Sequence, residues 1–209
     1  MIRVICADIS SLNETDYLKL YAQSSGERKA KADRYRRRED ALRCVAADAL
    51  LRYALGTSAY TVERTELGKP YIKGMESFHF NLSHAGNWVV LAWGGSEVGV
   101  DVEQLRRETD TDSITRRYFA PEEQRYVREA EENRLQHFYE IWTGKESYLK
   151  YLGTGLQKVL TSFSVFSLEP EVRLHHRKLD EDHWLCLCST ENDCLLELLD
   201  LQRLIKGEM

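Results

Sequence analysis

No stretch of this sequence is apolar for long enough to cross a bilayer: the longest uninterrupted run lies around residues 88–93, where a spanning helix needs about 20. The opening Met-Ile-Arg-Val-Ile-Cys lacks the layout of a secretory signal, so a cytoplasmic location with no membrane partner is expected. Cysteine is sparse and shows no pairing pattern. Cys6, Cys44, Cys186, Cys188 and Cys194 are odd in number and include no Cys-x-x-Cys, which indicates neither a disulfide framework nor a zinc centre and leaves them as reduced packing residues. Positive charge is in deficit, with a net charge of −5, which argues against a general nucleic-acid binder. The second glycine and the spacing of a P-loop are also missing around Gly68-Lys69-Pro70, so nucleotide triphosphate binding of that type is not supported.

What is present suits a soluble globular chain. The 209 residues are enough for one large domain or two small lobes, and 43% hydrophobic with 30% charged residues is an ordinary balance. The charge is unevenly spread: between Glu27 and Arg43 there are eight basic residues (Arg28, Lys29, Lys31, Arg34, Arg36, Arg37, Arg38, Arg43) against four acidic ones. That concentration marks a local anion site.

Hydrophobic periodicity and turn residues predict a short strand over residues 3–9 and a long helix over 25–55, ended by Gly56. Strands are expected over 60–65, 78–81, 88–93 and 97–103, with Gly94 and Gly95 making a tight turn between the last two. A polar connection over 106–112 precedes helices at 113–119, 121–131 and 134–151, then strands at 161–167, 171–175 and 184–188. The expectation is an α+β fold in two lobes, residues 1–104 and 105–209. Helix followed by short strands in the second half loosely echoes the first.

Three local features carry chemistry. In Val98-Gly99-Val100-Asp101-Val102-Glu103, strand alternation puts the valines on one face and both carboxylates on the other. Residues two apart are separated by about 6.5–7 Å, so Asp101 and Glu103 can reach one cation; the same alternation also describes an ordinary edge strand with solvated acids. In Trp142-Thr143-Gly144-Lys145-Glu146-Ser147-Tyr148-Leu149-Lys150, Glu146 and Lys150 share a helix face with Trp142, offering a third oxygen ligand and a cation, or simply a surface ion pair. In Phe80-Asn81-Leu82-Ser83-His84, a strand end presents a hydroxyl and an imidazole suited to phosphate, or to turn chemistry.

Taken in order, Gly68-Lys69-Pro70, Phe80-Asn81-Leu82-Ser83-His84, Gly99-Val100-Asp101-Val102-Glu103 and Trp142-x-x-Lys145-Glu146-Ser147-x-x-Lys150 closely resemble the signature series of 4′-phosphopantetheinyl transferases. The length resembles the larger, single-chain subclass of surfactin synthetase activator type. The resemblance extends back through Glu27-Arg28-Lys29-Ala30-Lys31 and Arg38-Glu39-Asp40-Ala41-x-Arg43 and covers roughly residues 24–167.

It implies a pseudo-twofold pair of lobes, each a small, mostly antiparallel sheet on a long helix, with the active site in the cleft between them. It also implies magnesium-dependent transfer of the phosphopantetheine arm of coenzyme A to a serine of an apo acyl or peptidyl carrier protein, by a monomer, with release of adenosine 3′,5′-bisphosphate. Arg28, Lys31 and Arg43 would hold the adenosine phosphates of coenzyme A, joined by Lys69, Ser83 and His84, with Lys145 also counted toward that substrate. Asp101, Glu103 and Glu146 would hold magnesium, Lys150 would bind a pyrophosphate oxygen and support the leaving group, and Glu146 would serve as base. Splitting a pyrophosphate link calls for positioning and charge neutralisation, which such a set supplies.

Three positions depart from the family's pattern: Ala85, Asn87 and Cys44 stand where hydroxyl or basic residues occur. Arg106, Arg107, Arg116 and Arg117, beside Tyr118 and Phe119, form the expected docking surface for an acidic carrier. Two rivals remain from the sequence: a non-catalytic module that binds coenzyme A or a carrier, and a metal-dependent phosphodiesterase.

Overall fold

In a computed structural model, described here for residues 1–155 and 158–207, the chain is α+β. The strands are β1 (Ile2–Asp8), β2 (Val62–Arg64), β3 (Pro70–Ile72), β4 (His79–Ala85), β5 (Trp88–Gly94), β6 (Val98–Gln104), β7 (Arg173–Asp180), β8 (His183–Ser189) and β9 (Cys194–Leu198). The helices are α1 (Glu14–Gln23), α2 (Gly26–Ala32), α3 (Arg38–Leu55), α4 (Thr111–Tyr118), α5 (Pro121–Arg128), α6 (Arg134–Leu152) and α7 (Leu201–Lys206). No helix among these residues is long and apolar enough to cross a membrane.

Besides the small antiparallel pair β2–β3, one sheet runs β4-β5-β1-β9, antiparallel except for the parallel β1–β9 pair; the other runs β6-β8-β7, antiparallel throughout. Each is covered by one long helix. Alternate residues of β1 and β5 (Ile5, Ala7, Val89, Leu91, Trp93) pack against α3, whose run of small residues through Ala46, Ala47 and Ala49 lets it sit close. The opposite faces, with Ile2, Val4, Cys6, Trp88, Val90 and Ala92, meet Val98, Val100 and Val102 of β6 and Leu185 and Leu187 of β8. The layers therefore run α3, sheet, sheet, α6, and β1, buried on both faces, reads as a nearly continuous apolar strand. All five cysteines are free and four are buried.

Several expectations need correction. The single helix over 25–55 is two: Ser25 caps α2 by accepting from the Arg28 N–H at 3.2 Å, and the chain then breaks through the arginine-rich stretch before α3 begins after an extended Arg37. Arg34, Arg37 and Arg38 would share one face of a continuous helix and repel one another there, which opposes continuation. Gly56 ends α3 as expected, with φ +66°.

Gly94 and Gly95 do not close a hairpin. They carry the chain from one sheet to the other, and β6 pairs with β8 rather than β5. The strand with Asp101 and Glu103 thus lies in the sheet completed by residues after 104, while β9 returns to β1. The strand expected over 161–167 is a 3₁₀ turn, Leu160–Ser162, followed by irregular chain. Helices α1 and α7 and strand β9 were not anticipated.

Candidate active site

Two elements create the site by lying unusually close. β6 sends its valines into the core between the sheets and Gly99, Asp101 and Glu103 toward α6. A Cβ on Gly99 would stand 2.0 Å from the carbonyl oxygen of Ser147 and 2.3 Å from the nitrogen of Tyr151. The missing side chain lets the backbone of α6 rest directly on β6, and Glu146 and Lys150, one turn apart on a shared face, are delivered to Asp101. Lys150 Nζ donates to Asp101 Oδ1 at 2.6 Å, to Ser83 Oγ at 3.1 Å and to the Val100 carbonyl at 3.0 Å. The other carboxylate oxygen of Asp101, Oδ2, is buried without a hydrogen-bond partner.

The two sheets are joined along this edge by side chains. β4 and β6 run beside each other but are not paired as strands; instead Val100 N–H donates to Asn81 Oδ1 at 3.0 Å and Val102 N–H to Ser83 Oγ at 3.2 Å. The same Ser83 hydroxyl donates to Asp101 Oδ1 at 3.1 Å. Ser83 was expected on a phosphate, yet its oxygen is committed to Val102, Asp101 and Lys150.

Negative charge is in excess here. Burial, then the Asp101 charge, pushes the Glu103 carboxyl up to about 7, opposed by the Trp142 indole N–H at 3.2 Å and by Lys150. Burial and then Asp101 also raise Glu146, again opposed by Lys150. Three carboxylates thus face one ammonium, and one buried oxygen lacks a partner. An all-oxygen donor set of this kind suits a hard divalent cation. Among the described residues no group of three His, Cys, Asp or Glu side chains is placed to hold a metal ion.

A basic recess lies next door. Arg28, Lys31, Arg43 and His84, with Tyr35, Tyr60 and Phe80, line a cavity of about 360 Å³ between α2, α3 and β4. Its walls are set by Asp48, 1% exposed, which accepts from Tyr60 Oη at 2.7 Å and Arg52 Nε at 3.2 Å and lies 3.5 Å from Arg28 Nε. Arg43 Nε donates to the Gly86 carbonyl at 2.8 Å and its Nη1 to Asp40 at 2.6 Å. His84 has one exposed edge, yet the desolvation of the rest of its ring, followed by the charges of Arg43, Lys150 and Lys31, lowers its pKa.

Arg43 and His84 also border a second cavity, of about 500 Å³, that reaches Glu103 and Trp142. These two border a third, of about 740 Å³, with Asp101, Glu146, Tyr118 and Leu160. The result is one path: a basic, aromatic recess, then the carboxylates and Lys150, then a wide mouth.

Lys145 and Phe119 are not on it, whereas Lys69 borders a further cavity that Glu146 and Lys150 also line. Lys145 is fully buried, 2.8 Å from Glu123 Oε2, and donates to the carbonyls of Leu160 and Phe163 at 2.8 Å each. It anchors the chain after α6 and faces away from the cleft. Lys69 pairs with Glu97 and donates to the Tyr151 carbonyl at 2.7 Å, outside the basic recess. Phe119 is core, stacked on Phe138 with ring centroids 5.4 Å apart, whereas Tyr118 does reach the mouth. Asn81, Asp48 and Tyr60 were missed. Asn81 stood inside a motif already singled out, while nothing local marked Asp48 as more than a helix acid.

Comparison with known proteins adds the following. Residues 97–193 match the model of the 4′-phosphopantetheinyl transferase superfamily, and residues 13–95 match that of the 4′-phosphopantetheinyl transferase N-terminal region. The two matches abut where the chain leaves the first sheet for β6. A 4′-phosphopantetheinyl transferase of Bacillus subtilis is 34% identical over 154 residues, covering 70% of this chain and 68% of the relative. The ffp transferase of B. subtilis is 33% identical over 192 residues (86% and 81%), and Sfp of B. subtilis strain 168 is 32% identical over 178 residues (79% and 75%).

Proposed function

The chain belongs to the 4′-phosphopantetheinyl transferase superfamily and is a transferase of that kind, and from this we propose how its cleft divides the work. Coenzyme A lies with its adenosine 3′-phosphate end in the recess of Arg28, Lys31, Arg43 and His84. Its pyrophosphate reaches the carboxylates and Lys150, and an apo acyl or peptidyl carrier protein presents its serine at the wide mouth. The observation that carries this reading is the convergence of Lys150, Glu103 and Glu146 on a buried Asp101 with an unpartnered oxygen, one step along the path from a basic recess.

Asp101, Glu103 and Glu146 would hold magnesium, which supplies charge neutralisation for a pyrophosphate when bound. The protein's own groups do the rest. Lys150, held by Ser83 and the Val100 carbonyl, needs little motion to donate to a phosphate oxygen and stabilise the departing adenosine 3′,5′-bisphosphate. Glu146 borders the mouth and its raised pKa suits it to take the proton of the carrier serine, freeing the oxygen to attack the phosphorus bearing the pantetheine arm. Asn81 and Ser83 fix the distance between the two sheets, so the pyrophosphate and both its partners stay in register. In this reading the enzyme works as a monomer in the cytoplasm.

The test is intact-mass analysis of an apo carrier incubated with the protein, magnesium and coenzyme A. The carrier should gain one phosphopantetheine. Asp101→Ala and Glu146→Gln should each slow this by on the order of 10³-fold while retaining coenzyme A binding. Hydrolysis of coenzyme A with no carrier modification would instead support a phosphodiesterase, and full activity in either variant would reject the site.

A further inference from the structure

At the far end of the cleft the two sheets touch again, hairpin tip to hairpin tip. His183 opens β8 at the tip of the β7–β8 hairpin and is 5% exposed, with Nδ1 2.8 Å and 3.0 Å from the two carboxylate oxygens of Asp180. Asp180 is held in turn by the indole N–H of Trp88, at 2.6 Å, from the other sheet. The ring lies flush against the β4–β5 turn: a Cβ on Gly86 would be 2.4 Å from His183 Nε2 and 3.3 Å from Gln104 Oε1. Gly86 itself has φ +52°, and its carbonyl accepts from Arg43 Nε at 2.8 Å. His183 Nε2 is buried and makes no hydrogen bond, so this side of the ring acts only as a surface for the turn to rest on.

We infer that His183 is a positioning residue for coenzyme A: through Gly86 it sets the carbonyl that aims Arg43 into the basic recess. The second sheet thereby tunes substrate affinity in a site built by the first. The inference rests on the reading of Arg43 as a coenzyme A contact. A merely structural His183 would lower stability without singling out one substrate. A positioning one raises the dissociation constant of coenzyme A while turnover at saturation is spared, and its effect passes through Arg43.

Coenzyme A affinity by calorimetry, and kcat with a carrier, would be compared for His183→Ala, His183→Asn, Gly86→Ala, Arg43→Ala and the doubles. His183→Asn keeps an amide donor near Asp180 and so protects the hairpin, while removing the ring beneath Gly86. Each single variant at 183 or 86 should weaken coenzyme A about tenfold, with kcat within about twofold. In the Arg43→Ala background the His183 change should have no further effect. Gly86→Ala with His183→Ala should bind more tightly than Gly86→Ala alone, because the methyl enters the space the ring left; the strain of alanine at φ +52° is common to both and cancels. If Arg43→Ala leaves coenzyme A affinity unchanged, the reading of the recess fails and takes the inference with it. If Arg43→Ala weakens binding but the His183 variants do not, or do so additively with it, only the inference is overturned.

Discussion

Gly99→Ala should disable the enzyme by a single methyl group placed outside every cavity of the cleft. The added carbon would start 2.0 Å from the Ser147 carbonyl oxygen and 2.3 Å from the Tyr151 nitrogen, both backbone atoms of α6, so no side chain can swing aside. Relief requires α6 to withdraw from β6 by about 1 Å or more, since contacts below about 3 Å are not tolerated. Overpacking of this kind costs about 1–3 kcal/mol, which lowers the melting midpoint of a chain this size by roughly 2–12 °C. The catalytic loss should be larger than the stability loss suggests. The 2.6 Å contact of Lys150 with Asp101 and the approach of Glu146 both depend on that helix position, and a misplacement of about 1 Å can cost on the order of 10²-fold in rate. Calorimetric melting, carrier modification by intact mass and coenzyme A binding separate the parts: the midpoint and rate should fall, while adenosine-end affinity, set by α2 and α3, should persist. Gly95→Ala, with nothing within 4 Å of its added carbon, serves as the neutral control. A Gly99→Ala protein with the parent midpoint and rate would refute the claim that backbone contact between β6 and α6 builds the site.

Lys145→Ala should lower stability by about 3–5 kcal/mol, because Glu123 would be left charged and fully buried; a melting midpoint within a degree or two of the parent would contradict the buried pair. Glu103→Gln should abolish transfer yet stabilise the substrate-free protein at pH 8 by about 1–3 kcal/mol. The folded-state pKa of about 7 lies above the ordinary carboxylate value, so the charged form opposes folding as pH rises through that range, and melting at pH 5 should show little of the gain.

The chemistry of this cleft was legible wherever a short-range period governs it. Strand alternation separated the valines of β6 from Asp101 and Glu103, and helical spacing put Glu146 and Lys150 together. Lys145 shows how the same rule could have been used further. At about 100° per residue it sits well round the helix from Lys150, which already pointed it away from the face carrying Glu146. α1 was also within reach, since Asn13 and Asp16 form the reciprocal cap that marks a helix start. What could not be read is long-range. Nothing local says that β6 leaves its sequence neighbour β5 for β8, that Asn81 and Ser83 replace a backbone ladder between β4 and β6, or that Asp48 orders a recess that α3 shares with α2 and β4. Such facts depend on which surfaces meet, and the partners lie far along the chain.

The parallel pairing of β1 with β9 sets an order on how the protein comes into being. Ile2 is made long before its partner Cys194, and until then one edge of a strand buried on both faces stays open. β6, made midway, likewise has no ladder until β8 emerges. The nascent chain must therefore carry two unpaired hydrophobic edges while the residues between β6 and β8 are made, which is the stage at which off-pathway association threatens. Cells making this transferase in quantity would accordingly depend on chaperone capacity during translation more than the stability of the finished molecule would suggest.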